Sequence, residues 1–221
     1  KHKIKPEKKT LEYIYLYLSF VHYAYRGNGI FRNFMGFDRR WLEEHGSEDS
    51  HGRAIWALGF TYYNFKQEAT GLIAETILLD IFNHFPTFVS LRALAFALMG
   101  VCYYFHYHPG RQDLQQKITA MADILLSSFN NNSQKSWQWF EPHLTYANGR
   151  LPHALLLAYT VTQNKKYLEI AEKSLEFLRN ILIIDNTLII VGNEDWYMRD
   201  GVRSFYDQQP IDAGCMVEVF L

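Results

Sequence analysis

Four carboxylates stand out by type and place: Asp49, Glu141, Asp207 and Asp212. Each lies in, or just beyond, one of three segments rich in polar and aromatic residues, 28–51, 136–150 and 193–209. Hydrolysis of a glycosidic bond asks for two carboxyl groups across the bond, about 5–5.5 Å apart for retention and about 6.5–9.5 Å for inversion. Asp212 sits one turn inside an apolar run, so it must face a lumen or find a buried partner, for which Arg53 and Arg150 are candidates. In the lumen reading, Asp212→Asn abolishes turnover and preserves the fold. Asp49 and its neighbour Glu48 also fit helix capping, as does Asp207 ahead of Pro210.

The same segments hold other chemistry. His51, His143 and His153 titrate in the range a sugar epimerase or isomerase needs for its acid and base, although each equally fits a hydrogen-bonded structural place. The chain has 5 Trp, 15 Tyr and 16 Phe. Flat rings bury the C–H face of a sugar, so Trp41, Trp137, Trp139, Trp196 and Tyr197 are candidate subsite platforms. Arg53, Arg150 and Gln208 are candidate contacts to hydroxyl groups or to an acidic sugar. No metal site is expected: His106 and His108 lack a third ligand nearby. A hydrolase serine elbow and a glycine-rich phosphate loop are absent from the sequence. Cys102 and Cys215 lie in apolar helical runs, which suits buried thiols better than nucleophiles, and no cofactor is expected.

Helices must position these residues. Leu114, Ile118, Met121, Leu125 and Phe129 recur at helical spacing, as do Leu168, Ala171, Leu175, Leu178 and Leu182. Such helices have one wet face. Residues 54–60, 93–105 and 154–161 are apolar nearly all round, the mark of helices enclosed on every side. The two kinds alternate: inner near 52–64, outer near 67–84, inner near 88–107, outer near 112–129, inner near 150–163, outer near 166–184, and a further inner helix from about 209. An amphipathic stretch near 10–26 precedes them. Short strands are expected only near 31–37 and 187–191.

The inner helices resemble one another at their starts. Gly52-Arg53-Ala54, Leu91-Arg92-Ala93 and Gly149-Arg150-Leu151 open three of them. Units of an inner and an outer helix predict an all-α fold of stacked helical hairpins, an (α/α)6 toroid or part of one. In such a ring the inner helices run parallel, so the three long segments converge at one mouth, where sites are commonly built.

This alternation, with residues 48–58 and 205–213, resembles the six-hairpin (α/α)-toroid glycosidase-like superfamily, which includes glycoside hydrolases, unsaturated-uronyl hydrolases and N-acylglucosamine 2-epimerase-like isomerases. The resemblance covers the chain from about Thr10 onward and implies carbohydrate processing, with hydrolysis of a glycosidic bond preferred. The sugar isomerase reading stands beside it, and a helical-repeat scaffold that binds without catalysis is the third. About eight helices are legible where a closed toroid has twelve, so residues 10–221 read as one hairpin domain incomplete at its C-terminus, with 1–9 a basic tail or linker and other domains of a longer chain as possible partners.

Composition bounds the rest. The 22 Lys and Arg against 23 Asp and Glu give a net charge of −1, with no bulk attraction to nucleic acid or an anionic membrane. The longest uncharged apolar run is too short to span a bilayer, which needs about 20 residues. The two cysteines form no disulfide framework, and with no signal pattern this points to the cytoplasm.

Overall fold

The computed structural model describes residues 7–221. Most of the expected basic tail lies outside the described residues, and Lys8 and Lys9 open the first helix. Eight helices are present among the described residues: α1 (Lys8–Ala24), α2 (Glu48–Phe65), α3 (Ala69–Asn83), α4 (Leu91–Phe105), α5 (Gln112–Asn132), α6 (Arg150–Thr162), α7 (Lys165–Leu182) and α8 (Ile211–Phe220). The strands are short: β1 (Tyr25–Gly27), β2 (Ile30–Phe31), β3 (His143–Leu144), β4 (Ile183–Ile184), β5 (Thr187–Leu188) and β6 (Tyr197–Met198). They pair antiparallel as β1–β2, β3–β6 and β4–β5. The chain divides into two compact units, up to Leu114 and from Gln115 on.

In the first unit, Ser47 and Ser90 end their loops in extended backbone and cap α2 and α4 by accepting from Ser50 N and Ala93 N. The two helices then touch backbone to backbone. A Cβ on Gly52 would lie 2.4 Å from the Ala93 carbonyl oxygen, and one on Gly59 would lie 2.2 Å from that of Gly100. Both contacts advance in the same direction along both helices, so α2 and α4 run parallel. Helix α4 meets the expectation of complete enclosure, since residues from Arg92 to Val101 are all buried. Helix α2 does not: Ala57 and Phe60 are exposed on its far side. Apolar sequence on every face therefore marked one enclosed helix, α4, and two that keep an open flank, α2 and α6, where Leu156, Leu157 and Tyr159 are half-buried and Thr160 is exposed.

The second unit is built on the apolar stripes of its amphipathic helices. Leu114, at the unit boundary, and Ile118, Met121, Leu125 and Phe129 of α5 are buried as their spacing predicts. On α7 the buried stripe is Tyr167, Ile170, Ala171, Ser174, Leu175, Leu178 and Leu182, with Tyr167 taking the place expected of the half-buried Leu168. The Tyr167 hydroxyl donates to Asp123 of α5 at 2.6 Å. Gln163, with φ +57, ends α6 in left-handed backbone, and Asn164 caps α7 by accepting from Lys166 N at 3.1 Å.

Candidate functional site

Two of the three long segments meet within the second unit. Strand β3, in the 136–150 segment, pairs with β6, in the 193–209 segment, so that His143 faces Met198 and Leu144 faces Tyr197. Arg199 strengthens the join, its backbone N–H donating to Pro142 O at 2.9 Å and its Nη1 to Asn132 O at 3.1 Å. Along this joined rim, Glu141 Oε1 lies 3.5 Å from His143 Nε2, and the Tyr146 and Trp196 rings lie 6.2 Å apart. Asp207 is exposed with φ +58 and accepts from Asn193 Nδ2 at 3.2 Å. Gln208, also exposed, donates to Phe205 O at 3.0 Å.

Beneath the rim lies a buried polar layer. Asp212, in the first turn of α8, is 2% exposed. Its Oδ2 accepts from Ala147 N at 3.1 Å, and its Oδ1 accepts from Asn148 N at 2.9 Å and Asn148 Nδ2 at 3.2 Å. Asn148 in turn closes the bend by exchanging hydrogen bonds with the Thr145 backbone. Backbone amides thus hold Asp212, because Ala147, at φ +51, bends the chain so that two successive N–H groups face the carboxylate. Arg150 pairs with Glu218 of α8. A lone acid in the otherwise apolar run 216–221 was the available signal for that partner. Gly149 lets α6 begin against α8, since a Cβ there would lie 3.2 Å from the Cys215 carbonyl oxygen.

Burial reassigns several candidates. Trp137 is 2% exposed, packs edge-on to Phe177 and Tyr197, and donates to Glu141 O at 2.7 Å. Trp139 is fully buried against Phe140 and Phe177. Neither has a ring face left for a sugar, and both belong to the core. Trp196 and Tyr197 remain half-buried at the rim. His153 is half-buried, with an Nδ1 that is enclosed and lacks a hydrogen-bond partner. Burial first, and the Arg150 charge second, lower its pKa to about 4. It is a neutral imidazole at ordinary pH. Cys102 and Cys215 are buried free thiols; burial raises the pKa of both, that of Cys215 to about 11.

The remaining candidates lie in the first unit. His51 is 2% exposed and uses both ring nitrogens: Nδ1–H donates to Ser47 O at 2.6 Å and Nε2 accepts from Phe31 N at 3.1 Å. It ties the β1–β2 hairpin to α2, and burial lowers its pKa. That is a structural histidine rather than an acid or base. Arg53 Nε donates to Asp49 Oδ2 at 2.6 Å along one helix face. Trp41 is half-buried and packs on Phe20 and Tyr23 of α1. Glu48, read from sequence as a cap, reaches across instead: its Oε2 accepts from Val89 N and Ser90 N, both at 2.8 Å, immediately before α4. Among the described residues no cluster of three or more His, Cys, Asp or Glu could hold a metal ion, and no helix is long and apolar enough to cross a membrane. No family model matches the chain, and no curated protein matches it.

Proposed function

We propose that this chain processes carbohydrate, with its hairpins forming part of an (α/α) toroid and its active rim in the second unit. The observation that supports the reading is the β3–β6 ladder, which joins two segments carrying carboxylates, a histidine and aromatic rings beside the start of α6. Glu141 acts as the acid and base toward the glycosidic oxygen, with His143 at 3.5 Å holding its carboxyl. Asp207 supplies the second carboxylate from the facing segment. Tyr146 and Trp196 offer rings to the sugar, and Gln208 contacts hydroxyls. Asp212 serves as a structural carboxylate that fixes the bend before α6.

The first experiment is a thermal-shift screen against neutral and acidic monosaccharides and oligosaccharides, followed by turnover of any sugar that raises the melting temperature. Glu141→Gln is expected to keep the shift and lower kcat by about 100-fold or more. Full turnover in that variant removes Glu141 from catalysis. Solvent deuterium entering a sugar carbon without bond cleavage moves the assignment to an isomerase. No shift with any sugar on folded protein rejects the carbohydrate reading in favour of a non-catalytic helical scaffold.

A further inference from the structure

A cavity lies in the first unit. It is a cleft of about 270 Å³ between α1, the end of the β1–β2 hairpin and the first turns of α2. Its polar lining is Arg32, Asn33, Ser50 and Arg53, and the rest is apolar, with Phe20 and Ala24 from α1, Phe31, and Ala54 and Ala57 from α2. Both charged side chains in the lining are arginines, each paired with a carboxylate outside it, Arg32 with Glu44 and Arg53 with Asp49.

Arg32 is held in place before any ligand arrives. Its Nη2 donates to Glu44 at 3.2 Å, and its guanidinium lies 5.8 Å from the Trp41 ring centroid. Trp41 is in turn packed against Phe20 and Tyr23 at 5.9 and 5.3 Å. The Arg32 Nε is buried and has no hydrogen-bond acceptor. That atom is closed to solvent, while the Arg32 side chain as a whole is 22% exposed, and a carboxylate is the acceptor whose geometry suits a guanidinium fork. Arg53, oriented by Asp49, adds a second positive group at the same lining.

We infer that this cleft binds a small carboxylic acid with an aliphatic or aryl body. The guanidinium groups take the carboxylate, and the phenyl rings and alanines cover the body. The volume sits near the lower end for small-molecule pockets, roughly 300 Å³. A polyhydroxylated ligand fits poorly, because its hydroxyls would face alanine and phenylalanine and lose their hydrogen bonds to water. The site is thus chemically distinct from a sugar cleft, and its ligand belongs to a different class from the substrate proposed above.

Calorimetric titration of the whole chain tests this with sodium benzoate, benzyl alcohol and sodium glucuronate as probes. Benzoate is expected to bind saturably, with benzyl alcohol about tenfold weaker or worse and glucuronate not bound in the cleft. Arg32→Gln is expected to lower benzoate affinity by about tenfold and leave benzyl alcohol unchanged. Ala57→Leu, on an exposed helix position, narrows the cleft and should abolish both, so the test survives if Arg32→Gln fails to fold. Glu141→Gln should leave benzoate binding intact, which separates this site from the carbohydrate reading. Absence of saturable benzoate binding overturns the proposal, as does equal affinity for acid and alcohol. So does glucuronate binding that Ala57→Leu abolishes, or unchanged benzoate affinity in either folded cleft variant.

Discussion

The two units solve the same problem in different media. In each, an acidic side chain in the first turn of one helix accepts two successive backbone N–H groups from the loop that enters another. Glu48 does so with a single oxygen, in a partly exposed place, at 2.8 Å to both donors. Asp212 uses both oxygens, is 2% exposed, and adds the Asn148 side chain. The surroundings differ more. The first unit backs its clamp with backbone contact along α2 and α4, through Gly52, Gly59 and Gly100. The second backs its clamp with Arg150–Glu218 and the close start of α6 on α8. Dispersion between close-packed helices carries one junction, and buried polar geometry carries the other.

The largest effect should come from breaking the first junction. Gly100→Leu drives a side chain into the Ile55 carbonyl and is expected to cost about 3 kcal/mol or more, read from chemical denaturation. Next is Asp212→Ala, which strands two backbone N–H groups and removes one acceptor of the Asn148 amide, and should cost about 2–3 kcal/mol. If its cost does not exceed that of Glu48→Ala, burial does not set the difference between the clamps.

Acid should weaken the second unit through His153. Its folded pKa, about 4, lies below the ordinary value of 6.5, so the unfolded chain binds more protons between them. Stability is complete above pH 6.5 and is lost as pH falls through about 4, by about 2 kcal/mol between pH 6 and 4.5. Denaturation midpoints of wild type and His153→Phe over that range check it: the slope should flatten in the variant. His51 adds a contribution of the same sign in the first unit. The smallest effect is Glu48→Gln, at about 1 kcal/mol, since an amide oxygen still accepts from Val89 and Ser90 at a partly exposed site.

Much of the helical layout was legible because apolar spacing is a local property. The stripe from Leu114 to Phe129 and the enclosed α4 follow from it directly. The site was legible only in part. Trp137 and Trp139 have the same composition whether they line a cleft or fill a core, and only the approach of Phe177 decides. Asp212 announced a buried partner but not its kind, because backbone amides leave no trace in a sequence. The spacing of Gly52 and Gly59, seven apart on one helix face, is a readable sign of close helix contact.

The β3–β6 ladder also bears on the order of assembly. Helices α6 and α7 and the β4–β5 hairpin all lie between its two strands in the chain. So short a ladder cannot repay the entropy of closing that loop until those helices have docked. The rim should therefore form late in folding and open first under native conditions. In hydrogen exchange, the amides of this ladder should lose protection well before those of α4, and any ligand seated at the rim should slow that exchange.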